Sequence, residues 1–376
     1  MSAPCGPRSS TLEEGSSRFA PGGGQPEMVQ LLTPAGELVE DAPFAWRGSV
    51  EDARRHLREL TLVRRLDTEG RLLQRQGKLS LWAELLGQEA VQVGVASALD
   101  PDDVVFPSYR EHGLAHLLGL STRELLGLWS SSEFCRWSAP RVAPYQMVIG
   151  AQAPQAVGHA MGVALDGDPG VTVVFHGDGA ISQGDVNEAY AFAAAYEAPV
   201  VFVCTNNQWA ISEHTSVQTR VPLYQRAWGF GIESVQVDGN DVLAVHEVAT
   251  WALERTRSGA GPTMIEAFTY RMGAHTTSDD PTRYRTDDEV TSWRGKDPLV
   301  RLQLWLEAQQ AWSMDDAAQL GGEADDLGRR MREECAALEA TPLVEMFDHL
   351  FTEPDPDVVA QRDECAAWLA GFEEQS

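Results

Sequence analysis

Lysine is almost absent, with Lys78 and Lys296 the only two in 376 residues. Lys and Arg together number 29 against 56 Asp and Glu, a formal net charge of −27. A chain so short of positive charge has little with which to neutralise a phosphate backbone, which argues against nucleic acid as a partner. Cysteine is sparse as well. Cys5, Cys135, Cys204, Cys335 and Cys365 form no Cys-x-x-Cys pair and have no histidine at zinc spacing, so neither a disulfide framework nor a structural zinc is indicated. No apolar run approaches the roughly 18 residues of a membrane span, and the N-terminus lacks a basic-then-apolar leader. These absences point to the cytoplasm and to no membrane contact. Large apolar residues are few from Met1 to Pro26, a stretch rich in Gly, Ser and Pro that cannot offset its ordering entropy.

Elsewhere the chain is 43% hydrophobic, enough for a sizeable core. Leu57, Leu60, Val63, Leu66, Leu72 and Leu73 recur at helical spacing between Val50 and Gln76, and Gly77 marks the stop. Further helices are expected from about Ala83 to Leu99, from Thr122 to Ser130 and from Gln152 to Ala164. Residues 171–175 and 199–204 are short apolar strands flanking an Ala-rich helix from Asp185 to Tyr196, which together make a βαβ unit. Residues 234–237, the helix 242–257 and the strand 263–268 repeat the pattern. The expectation is an α/β fold, a parallel sheet with helices on both faces and with helical N-terminal and C-terminal flanks. It divides into a tail at 1–26, an α/β domain at 27–310 and an acidic helical extension at 311–376.

In open parallel sheets ligands gather at the carboxyl ends of the strands. The first strand of the βαβ unit ends in Gly177-Asp178-Gly179 and the second in Asn206-Asn207. If the strands are neighbours, Asp178 and Asn207 offer a carboxylate oxygen and an amide oxygen to one hard cation. Mg²⁺ suits such oxygens and commonly fills its shell with phosphates. The helix starting near Asp185 adds a positive dipole end that favours a diphosphate. Taken alone, Gly-Asp-Gly is a tight turn. Followed after 26 residues by Asn-Asn, it resembles the signature of thiamine diphosphate enzymes. The rival dinucleotide fingerprint fails, because Gly177-x-Gly179 has no glycine three residues on.

The resemblance extends over about residues 50 to 310. Gly87-Gln88-Glu89-Ala90, the stretch 106–113 around Tyr109-Arg110-Glu111-His112, 154–158, Asp238-Gly239-Asn240-Asp241 and 270–280 around His275 are similar to the alpha subunits of two-chain pyruvate and branched-chain 2-oxo acid dehydrogenases. The resemblance implies thiamine diphosphate and Mg²⁺ as cofactors. It implies that Tyr109 and Arg110 hold the diphosphate and that Gly177, Gly179 and Ala180 lie against the cofactor, with Ile149 near its aminopyrimidine. It further implies that Asp178, Asn207 and the backbone carbonyl of Trp209 ligate the metal. His275 would lie over the thiazolium ring on a loop shared with Arg271, steadying the reaction and helping acyl transfer.

The resemblance also supplies the partners: a beta subunit bearing the glutamate that meets the aminopyrimidine, in a tetramer of two alpha and two beta chains, then the lipoyl domain and core acyltransferase of a complex, and a small 2-oxo acid as substrate. Three departures from the family pattern stand out. Gln183 replaces the usual glutamate, Thr205 replaces an arginine of branched-chain relatives, and residues 131–147 do not match the usual His-containing loop. An acetoin dehydrogenase alpha subunit and a non-catalytic relative stay open, as does the choice of 2-oxo acid. His112 stands beside the diphosphate stretch as a candidate second line of support, and His176 reads as a packed strand residue. Thr276, a phosphorylation position in some relatives, is assigned no such role here.

Overall fold

Unbroken apolar character from Val171 to Phe175 suits a strand buried on both faces, and the computed structural model, which describes residues 28–130 and 137–373, has one there. The expected tail at 1–26 and residues 131–136 of the segment 131–147 lie outside the described residues. The sheet strands are β1 (Val104–Phe106), β2 (Thr172–Gly177), β3 (Val200–Asn206), β4 (Glu233–Asp238) and β5 (Thr263–Phe268). Within this five-stranded sheet the pairings are parallel, in the order β1-β2-β3-β5-β4, and Trp209–Ala210 pairs antiparallel with Glu213–His214 outside it.

Alternation along each strand divides the core into two layers. Val173, Phe175, Val201, Val203, Val235 and Ile265 join one cluster with α1 (Val50–Arg75), α2 (Glu89–Ala98) and the long helix Val242–Arg257. Val174, Val200, Phe202, Cys204 and Met264 join the other, under the helices Gln152–Asp166 and Gly184–Ala195. The helix Met314–Ala336, in the expected C-terminal extension, buries Leu327, Met331 and Cys335 beside Leu66 and Leu73.

One expectation needs correction. The helix sought from Ala83 begins only at Glu89, because Gly87 holds a φ of +98° and a side chain there would meet the Tyr270 carbonyl oxygen at 2.2 Å. Residues 83–86 instead run to the buried Asp67 carboxylate, which accepts from Trp82 Nε1 at 2.8 Å and Leu85 N at 3.0 Å. The helix expected from Asp185 to Tyr196 is present as Gly184–Ala195, and a 3-10 turn, Gly179–Ser182, separates it from the Gly-Asp-Gly motif.

Asp241, the last residue of Asp-Gly-Asn-Asp, is taken up by backbone hydrogen bonds. One carboxylate oxygen accepts from Leu31 N at 2.7 Å and Leu32 N at 2.6 Å, and the other accepts from Leu243 N and Ala244 N, each at 3.1 Å. A single side chain therefore caps the helix Val242–Arg257 and ties the N-terminal segment to the sheet. Asp241→Ala removes the cap and leaves buried N–H groups unpaired, for an expected loss of at least about 3 kcal/mol, read from the urea unfolding midpoint.

Candidate functional site

β2 and β3 are adjacent, with Gly177 opposite Thr205, so the chain leaves both strands at the same edge of the sheet. A cleft of about 230 Å³ opens there. Tyr109, Arg110 and Ile149 line it from the helical flank, Gly177, Asp178, Gly179 and Ala180 from the tip of β2, Asn207 and Trp209 from the tip of β3, and Arg271 and His275 from the loop after β5. The residues to which the resemblance gave a cofactor, metal or catalytic role thus line one cavity.

Asp178 is 2% exposed and burial pushes its carboxyl above the usual range, opposed by Thr215 and Gln218. Thr215 Oγ1 lies 3.0 Å from Asp178 Oδ2 and 3.2 Å from Asn206 Oδ1, joining the two strand tips, and Gln218 Nε2 donates to the same carboxylate at 3.3 Å. The two asparagines differ in surroundings. Asn206 is spent internally, donating to Glu266 Oε1 at 2.7 Å and accepting from Gln208 N at 3.1 Å. Asn207 donates from Nδ2 to Gln88 Oε1 at 3.1 Å and accepts at Oδ1 from Trp209 N at 3.2 Å, which leaves a lone pair on Oδ1. A carboxylate, an amide oxygen and a peptide carbonyl form a donor set of the kind that hard cations take.

The two glycines act differently. A Cβ on Gly179 would stand 2.8 Å from Ala210 Cβ, so that position is glycine because the chain passes close by. A Cβ on Gly177 would meet nothing within 4 Å, so no packing requires a glycine there; its value is the room it leaves beside Asp178.

Arg271 is fully buried and holds the far wall together. It donates to the Trp209 and Ile211 carbonyls at 2.8 Å each and to Tyr284 Oη at 3.0 Å. Gln208 and Ile211 adopt φ of 69° and 55°, unusual for residues with side chains, and the guanidinium fixes the turn that contains them. Arg110 donates to the carbonyls of Glu84 and, at 2.9 Å, of His275, and its guanidinium lies over the Tyr109 ring at 5.5 Å.

His275 Nδ1 lies 3.2 Å from Arg271 Nη1 and 3.3 Å from Arg110 Nη2. Burial, then Arg110 and Arg271, bring its pKa down to about 3. The ring is therefore neutral at physiological pH, and because both neighbours of Nδ1 are cationic donors its proton resides on Nε2. Asp279 steadies the loop by accepting from His275 N at 2.9 Å.

Residues to which the sequence assigned no site role surround the cleft as well. Gln88 and Gln152 both line the cleft, and each has a buried side-chain atom without a protein partner, Nε2 and Oε1 respectively. Such orphans in a cavity mark places that a ligand or water satisfies. Thr215 and Gln218 lie beyond the second strand in a short helix, Thr215–Gln218, that no periodicity flagged.

His112 is not part of the cleft. It packs between Trp82 and Trp129, with Nε2 3.1 Å from the Ala83 carbonyl oxygen. His176 packs as expected, 3.0 Å from Tyr190 Oη. With His56, these are fully buried, and burial brings them to about 3, 4 and 3 for His112, His176 and His56. The unfolded chain takes up protons near pH 6.5, whereas the folded chain does not until much lower. Their stability contribution is complete above pH 6.5 and is lost as pH falls. At pH 5 each costs up to about 2 kcal/mol, from 1.5 pH units at about 1.36 kcal/mol each. Urea unfolding at pH 7 and 5 checks the slope, which is expected to flatten in His176→Phe.

Among the described residues no helix is long and apolar enough to cross a membrane. A family model described as the dehydrogenase E1 component matches residues 58–334. The 3-methyl-2-oxobutanoate dehydrogenase subunit alpha of Mycobacterium tuberculosis (strain ATCC 25618 / H37Rv) is 41% identical over 348 residues, covering 92% of this chain and 95% of that protein. The pyruvate dehydrogenase E1 component subunits alpha of Acholeplasma laidlawii and Staphylococcus aureus (strain MW2) are 37% and 41% identical, covering 82% and 77% of this chain and 91% and 79% of their own lengths. With most of its length matched, and with an α/β parallel sheet placing the motif residues in one cleft, the chain belongs to the dehydrogenase E1 component family.

Proposed function

We propose that the chain is the alpha subunit of the decarboxylating component of a 2-oxo acid dehydrogenase complex, acting on pyruvate or a branched-chain 2-oxo acid with thiamine diphosphate and Mg²⁺. The observation that carries this reading is the meeting of Asp178, Asn207, Tyr109, Arg110 and His275 in one cleft at the strand tips. The residues fit the group. Asp178, Asn207 and the Trp209 carbonyl would hold the cation and Tyr109 and Arg110 the diphosphate, with Gly177 leaving it room, Gly179 and Ala180 lining it and Ile149 toward the pyrimidine. The orphaned Gln88 Nε2 supplies one more donor for an anion.

When bound, thiamine diphosphate supplies a carbon nucleophile and an electron sink for loss of CO₂. The chain's own contribution is orientation and proton placement. Arg271 and Arg110 keep the His275 ring neutral, so that its Nε2–H is a hydrogen-bond donor to a negatively charged oxygen of the substrate at neutral pH.

The residues at 27–310 form the catalytic α/β domain in this reading, and those at 311–376 an acidic helical extension. A beta subunit completes the site in an assembly of two alpha and two beta chains, and the acyl group passes to the lipoyl domain of the core acyltransferase in the cytoplasm. The chain is co-expressed with its beta subunit and CO₂ release is measured from pyruvate and 3-methyl-2-oxobutanoate, with acetoin oxidation alongside. Release from a 2-oxo acid that requires both cofactors supports the proposal; acetoin oxidation alone, or no thiamine diphosphate binding, overturns it.

A further inference from the structure

Gln88 is the N-cap residue of α2 and is 2% exposed. Its backbone neighbourhood is held from two sides: the Gly87 carbonyl accepts from Thr269 Oγ1 at 2.7 Å, and the Leu86 carbonyl accepts from Met272 N at 3.0 Å. The side chain is therefore delivered from the helical layer to the tip of β3. There Oε1 accepts from Asn207 Nδ2 at 3.1 Å, while Nε2 is buried in the cleft wall without a protein partner.

A carboxamide is nearly symmetric in shape, so only its hydrogen-bond partners decide which end faces a cation. On Asn207 the partners agree, since Trp209 N–H faces Oδ1 and Gln88 Oε1 faces Nδ2. Turned by half a rotation, Asn207 would set N–H against N–H and oxygen against oxygen. Gln88 could relieve the second clash by turning too, but an anion accepting from Nε2 pins Gln88 in its present sense.

We infer that Gln88 is the positioning residue of the cleft: its oxygen keeps the Asn207 amide oxygen available to the cation, and its free N–H donates to the anionic group that shares that cation. The inference rests on Asn207 being a cation ligand.

The test uses the full chain with its beta subunit, saturating thiamine diphosphate, and Mn²⁺ followed by electron paramagnetic resonance. Gln88→Leu is expected to weaken Mn²⁺ binding about 10- to 100-fold, the usual cost of losing a residue that orients a metal ligand. Gln88→Met, unbranched and nearer in shape, carries the same expectation where leucine does not pack. Gln88→Glu keeps an oxygen for Asn207 Nδ2 but replaces the N–H donor with a negative charge facing the anion, so it too is expected to weaken thiamine diphosphate binding. The carboxylate of Asn207→Asp has two equivalent ends, so adding Gln88→Leu to it costs less than in the wild-type background, only the N–H donor to the anion being lost. Wild-type Mn²⁺ affinity in both Gln88→Leu and Gln88→Met overturns the inference, as does an equal loss with and without Asn207→Asp. A wild-type enzyme that holds no Mn²⁺ with thiamine diphosphate sinks the assignment of Asn207 itself, which is a distinguishable failure.

Discussion

Asp178→Ala is expected to weaken Mg²⁺-dependent thiamine diphosphate binding by at least about 100-fold, because loss of a group that merely orients a metal ligand already costs about 10- to 100-fold. Asp178 is the carboxylate at the tip of β2, and it is buried beside a glycine whose missing side chain leaves open space. Its hydrogen bonds from Thr215 and Gln218 come from neutral groups, and burial raises its pKa, so the ionised form is incompletely compensated within the protein. A bound dication supplies that compensation, and binding energy resides in the difference. Asp178→Asn keeps the shape and the contact with Thr215 yet removes the charge. It is expected to fold as wild type and to show most of the same loss in calorimetric titration. Wild-type affinity in a folded Asp178→Asn enzyme would place the cation elsewhere.

His275→Ala separates binding from turnover. The ring touches Arg110 and Arg271, and its loop is held independently by the Asp279 carboxylate on the His275 backbone N–H. Cofactor affinity should therefore stay within about threefold, while kcat for decarboxylation with a lipoyl acceptor falls about 10²- to 10⁴-fold, the span usual for a positioned proton-handling group. The pH dependence has a definite sign. With the pKa held at about 3, His275 does not titrate between pH 5 and 8, and no inflection of the wild-type kcat profile in that range belongs to it. Arg271→Met removes one of the positive neighbours that hold it down and so moves the pKa upward, toward the working range. A wild-type kcat in His275→Ala would remove the histidine from the mechanism.

The parts of this molecule that the sequence revealed are those whose signal is local. Valine-rich runs at 171–175 and 199–204 declared buried parallel strands because both faces are covered, and the fixed interval between Asp178 and Asn207 followed from the one βαβ unit that separates them. β1 escaped notice since three residues, Val104–Phe106, are too few to show a period, and Pro107 cuts the run. Leu85 and Leu86 imitated a helix start that Gly87 forbids through a contact with Tyr270, far away in the chain. The same limit governed the site. Gln88, Thr215 and Gln218 reach their partners across separations of 119, 37 and 40 residues, which no local pattern encodes. His112 opens the helix His112–Leu117 and turns into the Trp82 and Trp129 rings while Arg110, two residues earlier, faces the cleft, a divergence that adjacency in sequence does not reveal.

The most direct measurement is a crystal structure of the full chain with its beta subunit, soaked with thiamine diphosphate and Mn²⁺ and collected at the manganese edge. One anomalous peak within about 2.3 Å of an Asp178 carboxylate oxygen, Asn207 Oδ1 and a diphosphate oxygen is the expected result. A peak at any other place, or a diphosphate bound with Asp178 and Asn207 both uncoordinated, would contradict it.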